Sequence, residues 1–265
     1  MPPARVLGGK QARTDVQEHA KTPKFFAVHI CDPMRPDLKM QTEDALKEAE
    51  LTAEAFEAAE DAEVASAAVI NAEGATATED GFMIYTDEQK ATLGPLAVVG
   101  ARGKADAHIK LWKRVAAGDL PCLILEDGIK TFPRLANICA HLVSVVERVV
   151  AEDERSVLLF VGADVLPTDW TAQWLPTDMA HPPPVGKPIK LGEATSVISG
   201  SFSYLVWPLA ARRLIANLPL HTTVDDYIGA QMKKDRVRSL VVQPYGLTAP
   251  MVEKYQKFSD YAMNF

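Results

Sequence analysis

An α/β fold is what this sequence predicts, and three observations carry the expectation. Short apolar runs at residues 24–30, 122–125 and 156–161 stop at polar or acidic residues, the pattern of buried strands. Residues 104–116 and 132–152 carry apolar side chains at helical spacing. With 265 residues and 48% hydrophobic content, the chain can bury a sizeable core.

Residues 1–22 mix proline, glycine and both charges without an apolar period. They are expected to form a flexible arm ahead of a single domain at 23–265. The strand KFFAVHI, 24–30, runs into the proline-broken loop CDPMRPD. In that loop Arg35 is a candidate for meeting a diphosphate, because its guanidinium fork suits phosphate oxygens; the plain alternative is a solvated loop arginine. Residues 36–61, rich in Ala and Glu, scan as one long helix. Residues 64–96 are small and polar with acidic-glycine turns, and suggest an insertion of surface loops.

The helical stripe at 104–116 places His108 and Trp112 on one face. A lone helical histidine serves either as a packed core residue or as part of a site. Lys110 and Lys113 can approach phosphates or simply face solvent. The strand at 122–125 stops at Glu126-Asp127-Gly128. Open α/β sheets bind ligands beyond the carboxyl ends of their strands, so these acids sit where chemistry is expected. Paired carboxylates there suit a hard divalent cation, which in turn suits a diphosphate; the bland alternative is that they solubilise a strand end.

Residues 132–152 form an amphipathic helix, and SVLLFVGAD, 156–164, is the next buried strand. Its terminal Asp164 repeats the design of Glu126-Asp127. Trp170 and Trp174 can stack a sugar ring or close a core. Residues 175–192 hold five prolines and are expected to be a loop, long enough to act as a lid. A strand, a helix and the turn Val224-Asp225-Asp226-Tyr227 follow, with a final strand at 236–243 and an aromatic tail at 251–265. An Asp pair at a helix start is by itself an N-cap with a dipole-favoured acid.

The net charge of −7 disfavours a nucleic-acid-binding surface. Cys31, Cys122 and Cys139 are odd in number, and two lie at predicted strands, which points to buried thiols in a reducing compartment. No CxxC or Cys/His cluster suggests zinc. Neither GxxxxGK[ST] nor GxGxxG occurs, which removes a P-loop kinase. No signal-peptide core and no apolar run near the ~20 residues of a membrane span is present, so a soluble, cytoplasmic protein is expected.

Residues 100–128, GARGKADAHIKLWKRVAAGDLPCLILEDG, resemble glycosyltransferase family 25, the lipopolysaccharide and collagen galactosyltransferase group. That family shows a Gly-rich lead-in, Ser-His and Trp on a helix, Gly-x-Leu-Pro, and a strand ending Leu-Glu-Asp-Asp. The counterparts are Ala107-His108, Trp112, Gly118 to Pro121, and Leu125-Glu126-Asp127-Gly128. Ala107 and Gly128 depart from the pattern, the second at an acidic position. Residues 192–232 also follow the family, through Ser201, Tyr204, Pro208, Ala210, Ala211, Leu214 and Val224-Asp225-Asp226.

The resemblance implies a GT-A-like mixed sheet flanked by helices, and a helix break near Leu51 followed by a short strand. It implies transfer of a hexose, galactose or glucose, from a UDP-sugar to a hydroxyl of a glycan or protein acceptor. Glu126 and Asp127, with Asp164, would then hold Mn²⁺ or Mg²⁺ and the donor, helped by Arg35 and Lys110. Asp225 or Asp226 would be the base or acceptor clamp, and His108 would support the donor site. The alternative is a catalytically degenerate member that binds a sugar or partner.

Overall fold

The computed structural model describes residues 24–59, 76–77, 83–84, 91, 100–162, 174–175, 190–194, 202–220, 222–243 and 248–250. The apolar runs become strands: β1 (Phe26–Cys31), β5 (Cys122–Glu126) and β7 (Val157–Phe160). Between β1 and β5 lie β2 (Glu54–Glu57) and the two-residue strands β3 (Thr76–Ala77) and β4 (Met83–Ile84), which pair with each other. Then come β6 (Ile129–Thr131), β8 (Trp174–Leu175), β9 (Lys190–Glu193), β10 (Ser203–Val206), β11 (Arg238–Gln243) and β12 (Thr248–Pro250). Among the described residues the α-helices are α1 (Pro36–Glu48), α2 (Ala101–Ala116), α3 (Leu135–Val149), α4 (Pro208–Ile215) and α5 (Val224–Lys233).

Eight strands make one mixed sheet in the order β2-β1-β5-β10-β7-β11-β9-β8. Strands β2, β1 and β5 run parallel to one another, as do β7 and β11. Strand β10 lies antiparallel between β5 and β7, and β9 is antiparallel to β11. Alternation along each strand feeds two separate cores. Ile124, Phe160 and Tyr204 join Ile109, Trp112 and Leu214 on one face, which α2, α4 and α5 cover. Leu123, Leu125, Leu159 and Leu205 join Leu135, Leu142 and Leu46 on the other, under α1 and α3. Burial on both faces explains the near-continuous apolar strands, and each buried Leu or Ile contributes about 1.5–3 kcal/mol.

The chain leaves β1 towards β2 on one side and returns to β5 on the other. The crevice between the carboxyl ends of β1 and β5 is therefore a switch point of the sheet, where ligands of open α/β folds bind. Helix α1 stops as expected before Leu51. Glu50 takes a left-handed backbone (φ 57°), its N–H donates to Lys47 O at 3.2 Å, and the Leu51 N–H donates to Leu46 O at 3.0 Å. This is a Schellman stop, and it overrides the helical propensity of the Ala/Glu stretch.

Two expectations need correction. The ends of the proline-rich segment 175–192 are strands rather than loop, with Leu175 paired to Leu191 across β8 and β9. Strand β11 is not the last, since β12 pairs with β6. The flexible arm 1–22, most of 64–96, Asp164, Trp170 and the tail 251–265 lie outside the described residues. Among the described residues no helix is long and apolar enough to cross a membrane.

Candidate functional site

Strand β1 ends beside β5 with Ile30 opposite Glu126, which brings Asp32 next to Asp127. The Asp32 N–H donates to Asp127 Oδ2 at 2.5 Å. Side chains alternate along a strand, so Glu126 follows Ile124 to the α2 face, while Asp127 turns to the opposite face. Adjacent in sequence, the two acids have separate neighbourhoods.

On the α2 face Glu126 is 12% exposed and lies between two cations or donors. Lys104 Nζ approaches Oε2 at 2.9 Å, and His108 Nε2 lies 3.0 Å from Oε1. Behind His108, the Tyr204 hydroxyl lies 2.8 Å from Nδ1 and accepts from Trp112 Nε1–H at 2.9 Å. Burial, above all, raises the Tyr204 phenol well above its ordinary value, so the hydroxyl keeps its proton and donates it to Nδ1. The imidazole then carries its proton on Nε2, aimed at Glu126. Burial pushes the Glu126 carboxyl up. The Lys104 charge and the His108 hydrogen bond outweigh it and hold the group far below the usual carboxylate range. Glu126 in turn raises Lys104.

On the opposite face Asp127 is only 4% exposed, and its Oδ1 lies 2.5 Å from His29 Nε2. His29 Nδ1 faces the Cys31 sulfur at 3.7 Å, two residues along the same strand. Burial first, then the Asp127 charge, push the Cys31 thiol up to about 11, so it stays protonated and is no activated nucleophile. His29, Cys31 and Asp127 place one ligand atom each within 4.8 Å of one another, a group that can hold a metal ion. Its nitrogen, sulfur and oxygen donors suit a borderline metal rather than a hard one. The sequence reading named no Cys/His cluster that suggests zinc, and it did not single out this group. The signal was His29-Ile30-Cys31, with i and i+2 on one strand face.

Gly128 takes φ 74°, the left-handed region that favours glycine, and its N–H donates to Thr42 Oγ1 at 2.9 Å. The departure from the acidic pattern therefore has a backbone reason: the chain turns there into β6, with Leu38 of α1 at 3.6 Å from where a Cβ would stand.

The remaining candidates are placed less centrally. Arg35 makes a two-pronged contact with Asp37 (3.1 and 2.9 Å), and both are exposed. Lys110 Nζ pairs with Asp106 one turn back on α2, at 2.6 Å. Asp226 serves the start of α5: its N–H donates to Thr223 Oγ1 at 3.3 Å, and the Thr222 and Thr223 hydroxyls donate to its Oδ2. Asp225 is half-buried, and its charge adds to the rise of the Tyr204 phenol. Sequence reasoning missed Asp32, His29 and Lys104. A cavity of about 670 Å³ lined by Asp119, Arg155, Trp207 and Arg212 lies at the other end of the sheet.

No protein-family model matches this chain, and no curated protein matches it significantly.

Proposed function

We propose that this chain is a glycosyltransferase of the family 25 kind, with a GT-A-like fold, that moves galactose or glucose from a UDP-sugar to a hydroxyl of a glycan or protein. One observation carries the reading: two pairs, Asp32 with Asp127 and Lys104 with Glu126, flank the switch-point crevice at the ends of β1 and β5. A mixed sheet with helices on both faces is compatible with it. In this scheme Lys104 and Arg35 meet the diphosphate, and their charge stabilises UDP as it leaves. The acceptor hydroxyl gives its proton to Asp225 while its oxygen bonds to the anomeric carbon and the bond to the β-phosphate oxygen breaks. His108 is fully buried, so it orients Glu126 and touches no ligand. The Mn²⁺ or Mg²⁺ that the family resemblance implies does not fit the acidic pair as folded, because its side chains face opposite sides of the sheet, and no step is routed through a metal.

A second reading, a binding protein without catalysis, is favoured by the engagement of all four carboxylate oxygens of Glu126 and Asp127 by protein groups. Measuring UDP release from UDP-galactose and UDP-glucose, beside calorimetric binding of each, separates the two. Catalysis predicts turnover that falls about 100-fold or more in Asp225→Asn with donor affinity kept. Binding without UDP release selects the second reading, and absence of both removes the two together.

A further inference from the structure

We propose that Lys104 takes, as a covalently attached cation, the electrostatic place of the divalent metal at this crevice, so that the chain binds a nucleoside diphosphate ligand without metal. The inference rests on the glycosyltransferase reading and gives it a chemistry of its own.

A hard cation such as Mg²⁺ needs several oxygen ligands at about 2.0–2.1 Å in near-octahedral array. The acidic pair offers no such array. Strand alternation turns Glu126 and Asp127 to opposite faces, and one cation within about 2 Å of both is out of reach without rebuilding the strand end. Asp127 is spent on His29 and on the Asp32 N–H, at 4% exposure. Removing it would strand a buried imidazole and an amide donor. Gly128 has no side-chain oxygen, and its left-handed backbone is tied to Thr42.

Lys104 fits the vacant role. Its ammonium sits 2.9 Å from Glu126 Oε2, and the charges of Asp32 and Asp127 also bear on it. Its side chain is 41% exposed, while Glu126 is 12% exposed, so the cation is held from within and reachable from outside. An ammonium has three donors, and one suffices for Glu126, which leaves the group able to turn towards a phosphate oxygen. It lies in the first turn of the 16-residue helix α2, where the helix dipole adds positive potential. The one metal-capable group among the described residues is His29, Cys31 and Asp127, whose donors suit a different class of ion.

The test uses the full chain and two titrations. Free Mn²⁺, followed by electron paramagnetic resonance, should show no site tighter than about 1 mM in the wild type. UDP, UDP-galactose and UDP-glucose, followed by calorimetry, should bind equally with Mn²⁺ and with chelator. Lys104→Met should lose about tenfold or more of nucleotide affinity in chelator, whereas Lys104→Arg should stay within a few-fold of wild type. Should Lys104→Met fail to fold, the wild-type metal dependence and Lys104→Arg still decide. Nucleotide binding that requires Mn²⁺ overturns the inference and leaves the glycosyltransferase reading standing. Unchanged affinity in a folded Lys104→Met overturns it as well. No nucleotide binding under any condition overturns the reading and this inference with it.

Discussion

Two of the chain's adjacent-acid pairs, Glu126-Asp127 and Asp225-Asp226, are treated oppositely by the fold. Asp226 is satisfied by residues three and four positions away, within the helix it helps to start. Glu126 and Asp127 are satisfied by residues 18 to 98 positions away, drawn from β1, α2 and the loop after β1. A locally held acid such as Asp226 answers to the helix dipole and the orphan N–H groups of one terminus. A non-local pair at a strand end answers to whatever the topology brings beside it. Two adjacent acids therefore mark a helix cap in one place and the meeting point of the sheet in the other.

The sharpest way to break this comparison is Asp127→Ala. It leaves His29, 1% exposed, and the Asp32 N–H without their acceptor. Each buried donor left without its acceptor costs about 1–3 kcal/mol, so the two together cost about 2–6 kcal/mol. Urea unfolding should show a loss of that size, and a loss below about 1 kcal/mol would mean that the buried pairing holds little of the fold.

A second test uses pH. The Glu126 carboxyl is held far below its ordinary value in the folded chain. A depressed folded value means stability that is fully present above the unfolded value, about 4.3, and is lost as pH falls towards the folded one. Wild-type stability should therefore drop from about pH 5 downward, and Glu126→Gln should flatten that part of the profile. Parallel profiles for the two proteins would show that Lys104 and His108 do not hold the carboxylate as the geometry indicates.

Much of the fold was legible because its signals are local. Apolar runs ending in turn residues became β1, β5 and β7, and the stripe containing Leu135, Ile138 and Leu142 became α3. The two-sided burial of β5 could also be read, since Cys122 to Leu125 are all apolar. The site was legible only in part. Glu126 and His108 were singled out, but Lys104 looked like any surface lysine, and His29 lay unremarked in an apolar strand. Their roles come from pairings across 22 and 98 residues, which no local period encodes. The opposed faces of Glu126 and Asp127 were nonetheless implicit in the strand period of two.

The smallest expected effect completes the comparison. Asp226→Ala removes the acid at the third position of α5, where it receives the Thr222 and Thr223 hydroxyls at 3.1 and 3.0 Å. Thr223 remains as the N-cap, and its Oγ1 still accepts from the backbone N–H of residue 226. What is lost is one exposed acid in a first turn and two solvent-facing hydrogen bonds, together about 0.5–1 kcal/mol. Salt should shrink the difference further, because the dipole interaction of an exposed acid is screened. Thermal unfolding of Asp226→Ala beside Asp127→Ala at low and high salt measures both points. If the α5 acid proved as costly as the β5 acid, and indifferent to salt, Asp226 would have to make contacts beyond its own helix, and the two pairs would no longer differ in kind.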